Sequence, residues 1–524
     1  MHPARTFAVT LLGLVVFGSL LITGGYAWYL RSAGYRQSCA AMLSEQLGLP
    51  AEIGRILPKS RTAREFRDVR VYLPGRRGLA AAIDRALVRS SPTPDDPDAY
   101  EVNLLGGQSE LSSRTWLASD YRTVLESGLR PGFQTGGPRR VVLRGIRLTI
   151  DHARFRATLD DASGYIEFDA HGHGSGVVQC HSFNGFSVET PVELRASFSQ
   201  IGGATRLDTV ELDVPPLPLT IFRLDQFTGL PTRHGRFTGR VEYHEDDGGR
   251  RTLVTGELTD VHLDELTSGL LDPPWTGTGT RLTVEELALR DRRLERLRLH
   301  GRMSDVALGP LLATVGLPNL GGKIDLDVAT AELAPAGIVR LSLAGRCEAL
   351  SLSAASAILG WGSVTGSARL NLRDLTVADN RLTSLEARAE VAPDGDAPGT
   401  IERSLLDEIV RRTLGFALPP VLPERIEYTQ LGVRIEVRDE VLSIFGTHGD
   451  GERVILTARV LGRDVPIVFE PPQPIDLTPT LDALRAEWLP QVARWVDALA
   501  DGVPPTASTV APPTLTDAPP TGPE

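Results

Sequence analysis

Cysteine is scarce in this chain, and its scarcity excludes a disulfide framework. The 524 residues contain three cysteines, Cys39, Cys180 and Cys347, far apart in the sequence. Small disulfide-stabilised folds instead carry several cysteines at short, regular spacings. One pair remains possible in an oxidising compartment, and the sequence does not identify which two residues would form it.

A basic surface for nucleic acid is also missing. The net charge is -11 and the pI is near 5.5, whereas nucleic-acid-binding domains carry a basic patch or stripe. Of the 55 basic residues, only Lys59 and Lys323 are lysines. Together with abundant alanine, glycine and proline, this bias is typical of a GC-rich genome and carries no functional information. We therefore predict no nucleic-acid partner.

Catalytic motifs are lacking as well. The sequence contains no Walker, Rossmann or nucleophile-elbow pattern. The most metal-like cluster is His171-Gly-His173 followed by Cys180-His181, because side chains two apart on a strand share a face and zinc accepts such ligands. The intervening segment is rich in glycine, and isolated His-x-His pairs are frequent. We predict no metal, no cofactor and no enzymatic activity, with a metal-dependent hydrolase built on His171 as the remote alternative.

Only one long apolar run exists, and it lies at the N-terminus. Residues 6–30 contain no charged side chain, and at about 1.5 Å per residue they cross a hydrocarbon core of about 30 Å. A cleaved signal peptide is the alternative, but its apolar region is usually roughly 7–15 residues long and ends at a small-residue site. We predict an uncleaved transmembrane signal anchor that tethers the rest of the chain.

What the sequence does contain is a repeat of about 45 residues. Its copies begin Gly256-Glu-Leu-Thr-Asp-Val-His-Leu263, Gly301-Arg-Met-Ser-Asp-Val-Ala-Leu308 and Gly345-Arg-Cys-Glu-Ala-Leu-Ser-Leu352, and a diverged copy begins near Glu211. Each complete copy continues into a short helix-like piece, at residues 266–271, 311–315 and 354–359, and then a Gly-rich turn. A fixed period predicts an elongated array in which each unit buries its apolar face against its neighbours.

Two segments, residues 281–302 and 369–390, align without a gap and alternate apolar with polar residues. This period predicts strands that are apolar on one face and polar on the other. The three-residue steps from Val284 to Leu287 and from Leu372 to Leu375 each require a β-bulge. Asp379-Asn380 is typical of a hairpin turn. The predicted lining of an apolar groove is Leu282, Val284, Leu287, Leu289, Leu294, Leu297, Leu370, Leu372, Leu375, Val377, Leu382 and Leu385.

The remaining segments complete the predicted organisation. Residues 1–5 are a cytoplasmic N-terminus, and 31–135 form a membrane-proximal α+β region with a helix at 38–49, two strands within 51–73 and a helix at 79–88. Residues 136–210 are β-rich, and 211–391 hold the four repeats. Residues 392–500 contain a helix at 402–414, strands at 424–469 and a closing helix at 481–499. The Pro/Thr-rich tail at 501–524 should be disordered.

This organisation resembles the AsmA-like envelope proteins. The resemblance rests on the single N-terminal span, on Ala51-Glu-Ile-Gly-Arg-Ile and Phe66-Arg-Asp-Val-Arg-Val-Tyr-Leu-Pro74, and on Leu-Leu…Gly-x-Gly repeats similar to those of the YdbH-type branch. It implies an inner-membrane anchor, a periplasmic body, and phospholipid transport along an apolar groove. The predicted fold class is mainly β with short helices: an N-terminal transmembrane helix, an elongated, twisted repeat β-groove and a C-terminal helix.

Elementary physics is compatible with that function. A sheet with one apolar face must cover it with helices, a second sheet or a ligand, and each repeat supplies only about two turns of helix. Acyl chains could cover the remainder, at about 0.8 kcal/mol per buried methylene. A β-sandwich or solenoid core packed only with protein side chains explains the alternation equally well. We predict phospholipid binding or envelope maintenance, with a non-enzymatic scaffold for other envelope proteins as the alternative.

Overall fold

Strands dominate the computed structural model, and the helices between them are short. The structure describes residues 28–73, 78–112, 129–152, 155–169, 171–201, 204–222, 233–246, 249–268, 273–291, 293–313, 319–359, 362–392, 399–414, 422–479 and 481–482. Nearly all of the predicted anchor and closing helix, and the whole predicted tail, lie outside these residues. Within the ranges given, none of the helices has the length and apolar character that a membrane crossing requires.

The 23 described strands belong to one mixed sheet. They are β1 (Ala51–Pro58), β2 (Ala63–Tyr72), β3 (Leu79–Ser90), β4 (Tyr100–Ser112), β5 (Pro138–His152), β6 (Phe155–Phe168), β7 (His173–Phe183), β8 (Phe186–Ile201), β9 (Ala204–Pro218), β10 (Arg236–Asp246), β11 (Gly249–Val261), β12 (Thr278–Arg290), β13 (Arg293–Ala307), β14 (Lys323–Ala334), β15 (Gly337–Ser351), β16 (Ser367–Ala378), β17 (Arg381–Ala392), β18 (Gly399–Glu402), β19 (Arg425–Arg438), β20 (Val441–Gly446), β21 (Val454–Val460), β22 (Arg463–Phe469) and β23 (Ile475–Asp476). The α-helices in the same residues are α1 (Ala33–Leu47), α2 (Leu263–Thr267), α3 (Leu308–Ala313), α4 (Leu352–Leu359) and α5 (Arg403–Leu414). The predicted mainly β fold with short helices is confirmed.

The chain divides into two units. The first comprises Met1–Leu217 and Arg240–Gly249, and the second comprises Pro218–Gly239 and Arg250–Glu524. In the first unit, β1 to β4 pair antiparallel in chain order, β4 pairs parallel with β5, and the antiparallel order then continues to β9. The parallel pair makes the sheet mixed, and the alternation of the sequence does not predict it.

The predicted helix at residues 79–88 is wrong, because this segment is strand β3. Its apolar residues fit helical spacing, but β2 and β4 pair with it on both sides. The ladder hydrogen bonds of a central strand outweigh a local helix preference, which is worth less than about 1 kcal/mol per residue. The two strands predicted within residues 51–73 are confirmed as β1 and β2.

Helix α1 begins earlier than the predicted helix at residues 38–49. Ser32 is its N-cap, and the Ser32 Oγ accepts a hydrogen bond from the Tyr35 N–H at 3.2 Å. Gly48 ends the helix with a φ of 65°, a left-handed conformation that glycine adopts without steric cost. Both ends therefore follow ordinary capping rules.

In the second unit, each complete repeat is a long strand, a short helix and a returning strand. The successions are β11–α2–β12, β13–α3–β14 and β15–α4–β16, and neighbouring strands pair antiparallel. The helices begin two or three residues before the predicted pieces. In the diverged copy, Leu219–Phe222 forms a 3-10 turn, and the residues that follow, 223–232, are outside the described ranges.

The predicted irregularities of the repeat strands are confirmed. The register shifts between Val284 and Glu286 in β12 and between Leu372 and Asp374 in β16. Equivalent shifts follow Leu299, Val328 and Leu343 on the strands between them. Asp379 and Asn380 form a two-residue turn with φ angles of 49° and 61°, as expected for a hairpin of this kind.

A separate core lies at the C-terminal part of the second unit. The predicted helix at residues 402–414 is confirmed as α5, and its Leu405, Leu406 and Val410 pack against Tyr428 and Leu456. The Tyr428 hydroxyl donates a hydrogen bond to the Thr365 carbonyl at 2.6 Å, so the buried ring keeps a polar partner. The strands predicted at residues 424–469 are confirmed as β19 to β22.

The cysteines of the chain are not paired. Cys39, Cys180 and Cys347 are all free thiols.

Candidate functional site

One face of the repeat sheet, here called the apolar face, is continuous from β12 to β19. Directly paired residues of antiparallel strands lie on the same side of a sheet, so the register defines this face. One row consists of Leu282, Gly301, Val328, Leu343, Leu375, Leu385 and Val437. The next row consists of Val284, Leu299, Ala331, Leu341, Val377 and Leu382. The predicted residues on β12 and β16 therefore share one face.

The bulges are what keep this face uniform. Val284 pairs with Leu299, and Leu287 pairs with Leu297, two residues away on β13. The extra residue inserted between Val284 and Leu287 restores the apolar side after an odd step. The same arithmetic holds on β16, where Leu372 and Leu375 pair with Ala387 and Leu385. Without these bulges, half of each strand would turn its leucines to the opposite side.

Burial changes along the strands of the apolar face. We call the end beside α2 to α4 the helix end, and the end beside the hairpin turns the hairpin end. At the helix end, Val306, Ile324, Leu326 and Cys347 are 0–4% exposed and form one cluster with Leu263 and Leu308 from the helices. At the hairpin end, most of the apolar side chains are only partly buried, namely Leu287, Leu289, Leu297, Leu299, Leu333, Leu341, Val377, Leu382 and Leu385.

The predicted groove residues divide between these two ends. Leu370 packs against the helix-end cluster, and Leu282, Val284 and Leu372 are buried between the ends. Leu294 is 3% exposed and is covered by its neighbours Leu287, Leu289 and Leu297. Leu375 on β16, like the hairpin-end residues, is partly buried. The structure thus brings all of the predicted residues of β12 and β13 into one face with those of β16 and β17.

Sequence reasoning did not include the strands between these pairs. Val328, Ala331 and Leu333 on β14, with Leu341 and Leu343 on β15, connect the two predicted groups. The signal was available, because residues 324–333 and 338–347 alternate apolar with polar in the same manner. These residues of β14 and β15 can be found by aligning each repeat strand with the next one at its bulge.

The opposite face of the same strands is polar and carries ion pairs across neighbouring strands. The Arg296 Nη2 atom lies 2.6 Å from the Glu332 Oε1 atom, and the Arg373 Nη1 atom lies 2.9 Å from the Glu386 Oε1 atom. Thr376 donates to the Asp374 Oδ1 atom at 2.9 Å. Exposed pairs of this kind contribute about 0–1 kcal/mol each, so their main consequence is that this face is hydrated.

The metal-like cluster of the first unit is not assembled. The side chain of His171 is 86% exposed, and its Nδ1 atom lies 3.9 Å from the Asp169 Oδ2 atom. Cys180 is fully buried while the adjacent His181 is exposed, because successive strand residues point to opposite faces. Burial raises the pKa of the Cys180 thiol to about 11, so this thiol is protonated at neutral pH.

A different group of potential ligands, in the second unit, escaped sequence reasoning. His234, His262 and Glu265 place one ligand atom each within 4.8 Å of one another, and no other His/Cys/Asp/Glu group in the described residues does so. The spacing His262-x-x-Glu265 is one helical turn and was readable in the sequence. His234 lies before β10, 31 positions before Glu265. Only the fold brings it to His262 and Glu265.

Comparisons with protein-family models, with curated proteins and with solved structures find no match to this chain. The resemblance to the AsmA-like envelope proteins therefore stays a prediction from the sequence. The apolar face and the histidine group are the features from which function must be argued.

Proposed function

We propose that this chain is a membrane-anchored envelope protein whose apolar face binds or conducts phospholipid. The observation that carries the proposal is the continuous face of partly buried leucines and valines at the hairpin end, from Leu287 to Leu385. Monomeric soluble proteins rarely leave contiguous apolar patches larger than a few hundred Å². Acyl chains have the width and chemistry to cover such a strip.

The aligned bulges of the repeat strands support the same proposal. The rows of bulges bend and twist the strands in register, which favours a concave lining, and the polar face on the other side is hydrated. A lipid along this face would lie against side chains contributed by at least six strands. The rows of Leu282 and Val284 contain no charged residue. An acyl chain lying along them would therefore meet no charged side chain.

Location is part of the proposal. Residues 6–30 would anchor the chain in the inner membrane as a single pass, and the bulk would lie in the periplasm, as the sequence prediction has it. A reporter fused after Ala500 should then be active only outside the cytoplasm. Activity of that reporter in the cytoplasm would contradict the proposed orientation.

The lipid function is tested by placing a charge on the apolar face. Leu375→Asp puts a carboxylate among acyl chains, which costs several kcal/mol in a hydrocarbon environment. We expect the variant to accumulate, to resist protease like the wild type, and to carry several-fold less phospholipid by mass spectrometry of the purified protein. Asn371→Asp is the matched control, because Asn371 lies on the same strand, on the polar face, opposite Arg346 and Arg388.

Three results would contradict the proposal. If Leu375→Asp is degraded, the site belongs to a closed protein core, since burying an unpaired charge unfolds such a core. If it folds and its phospholipid content equals that of Asn371→Asp and wild type, the face is not a lipid site. A wild-type protein that carries no phospholipid would also contradict it.

A scaffold for other envelope proteins is the second candidate, and one observation favours it. Val465 and Phe469 of β22 and Ile475 of β23 are 40–45% exposed apolar side chains on the last two described strands. Protein interfaces are enriched in such exposed aromatic and aliphatic side chains. Lipid-free wild-type protein that co-purifies with partners, and loses them in Phe469→Ser, would favour this candidate.

A further inference from the structure

The group of His234, His262 and Glu265 joins two segments that are distant in the sequence. His234 belongs to the segment that leads into β10, His262 is the N-cap residue of α2, and Glu265 lies in the first turn of that helix. The two imidazole rings are stacked, with their centroids 4.0 Å apart and an angle of 14° between their planes. Leu263, which lies between His262 and Glu265 in the sequence, belongs to the cluster that covers the helix end.

Glu265 is held as a buried carboxylate and fixes the orientation of His234. Its Oε2 atom accepts hydrogen bonds from the backbone N–H groups of Arg233 at 2.6 Å and His234 at 2.9 Å. Its Oε1 atom lies 2.6 Å from the His234 Nδ1 atom. Burial opposes the ionisation of Glu265, but the hydrogen bonds from His234 and Arg233 outweigh it and lower its pKa. With Oε2 held by two backbone N–H groups, Oε1 is placed to accept a hydrogen bond from the Nδ1–H of His234.

This contact has a consequence for the other nitrogen of the ring. When Nδ1 of a neutral imidazole donates to a carboxylate, Nε2 carries the free lone pair. Histidine ligands of metal ions are oriented in this manner by a carboxylate or carbonyl partner. His234 is half exposed, so its Nε2 atom is reachable from solvent.

His262 supplies a second imidazole at the same place. It is the N-cap residue of α2, but its side chain makes no capping hydrogen bond. The ring is therefore not used to cap this helix. The side chain is partly exposed, and one of its ring nitrogens lies within 4.8 Å of the ligand atoms of His234 and Glu265. Two nitrogen donors exclude a preference for Ca²⁺ or Mg²⁺, which take oxygen ligands, and suit Zn²⁺, Ni²⁺ or Cu²⁺.

We propose that His234 and His262 bind one divalent transition-metal ion of the Zn²⁺ class through ring nitrogens, with Glu265 orienting His234 through the Nδ1 contact and with the remaining positions open to water. The ion would clip the segment before β10 to α2. Because α2 covers the helix end of the apolar face, metal binding would stabilise the cover and leave the hairpin end unchanged. A ligand that binds only the folded chain raises the apparent stability.

The test uses the full chain in detergent, purified with a tag that lacks histidine. Titration with ZnCl₂ by calorimetry should give one site per chain, and MgCl₂ should give none. His234→Ala and His262→Ala should each weaken Zn²⁺ binding by at least about tenfold, and Glu265→Gln by about 10- to 100-fold, the range for residues that orient a ligand. His171→Ala is the control, because it removes an exposed histidine of an unassembled pair and should bind Zn²⁺ like the wild type.

A thermal melt keeps the proposal testable if a variant folds poorly. Equimolar Zn²⁺ should raise the melting temperature of the wild type and of His171→Ala, but not that of His262→Ala, whose side chain is partly exposed and makes no capping bond. The proposal is overturned if the wild type binds no Zn²⁺, if His234→Ala and His262→Ala bind it as the wild type does, or if binding is lost only in His171→Ala. The last result would assign Zn²⁺ to the His171-Gly-His173 pair.

Discussion

The two ends of the apolar face are built from the same strands, yet they differ in what covers them. On β14, Ile324 and Leu326 at the helix end are 3% and 4% exposed, whereas Leu333 at the hairpin end is partly buried. All three residues lie on one side of the sheet. The difference is that α2 and α3 contribute Leu263 and Leu308 above the first two. Alternation thus determines which way a side chain points, and a helix determines whether water reaches it.

The largest expected effect comes from removing side chains at the two ends of one strand. Leu326→Ala should destabilise the protein by about 2–5 kcal/mol, because it removes buried methylene groups and leaves a cavity. Leu333→Ala, on the same strand and face, should cost about 1 kcal/mol, because a partly exposed side chain loses less transfer free energy. Chemical denaturation of both variants measures the difference. Equal destabilisation would mean that the hairpin end is covered by protein as fully as the helix end.

A smaller effect is expected where the two ends meet, at Gly301. This residue has a φ of 146°, and a Cβ atom there would lie 2.2 Å from the Arg281 carbonyl oxygen and 2.8 Å from the Leu282 Cα atom. Gly301→Ala should therefore force β12 and β13 apart at this point and cost about 1–3 kcal/mol, the range for overpacked sites. Hydrogen exchange should show faster opening of both strands. Gly34→Ala, in open space on α1, is the control and should not destabilise the chain.

The smallest expected effect concerns how a covering helix is attached. Glu402 precedes α5, and it accepts hydrogen bonds from the Ser363 Oγ at 2.8 Å and the Ser363 N–H at 3.1 Å. These bonds, the side-chain bond first, lower the pKa of Glu402. A lowered pKa stabilises the fold above the pKa of the unfolded residue, about 4.3, and that contribution is lost as the pH falls through the folded value.

Glu402→Gln should accordingly lower the melting temperature slightly at pH 7 and have less effect at pH 3. Hydrogen exchange should place the loss in α5 and β18, and leave the hairpin end of β14 unchanged. A difference between the variant and the wild type that is as large at pH 3 as at pH 7 would show that the ionised form of Glu402 does not contribute.

Much of the second unit could be predicted because its signals are local. The bulges after Val284 and Leu372, the Asp379-Asn380 turn and helix α5 all follow from residue spacing within about a dozen positions. The same local logic failed for β3, where helical spacing competes with pairing to β2 and β4. Local preferences are small, and partners brought from elsewhere in the chain decide such cases.

Most of the strands, their bulges and the side to which each apolar residue points could be predicted from the sequence, because the period of a strand and the turn preferences of Asp and Asn are properties of short segments. The tertiary structure sets which of these residues are covered, since the helix end and the hairpin end of β14 carry equally apolar residues. It also decided that His234 meets Glu265, 31 positions away. Contacts of this kind depend on how whole strands pair, and the pairing of distant segments is fixed by the sum of many weak interactions rather than by any one residue.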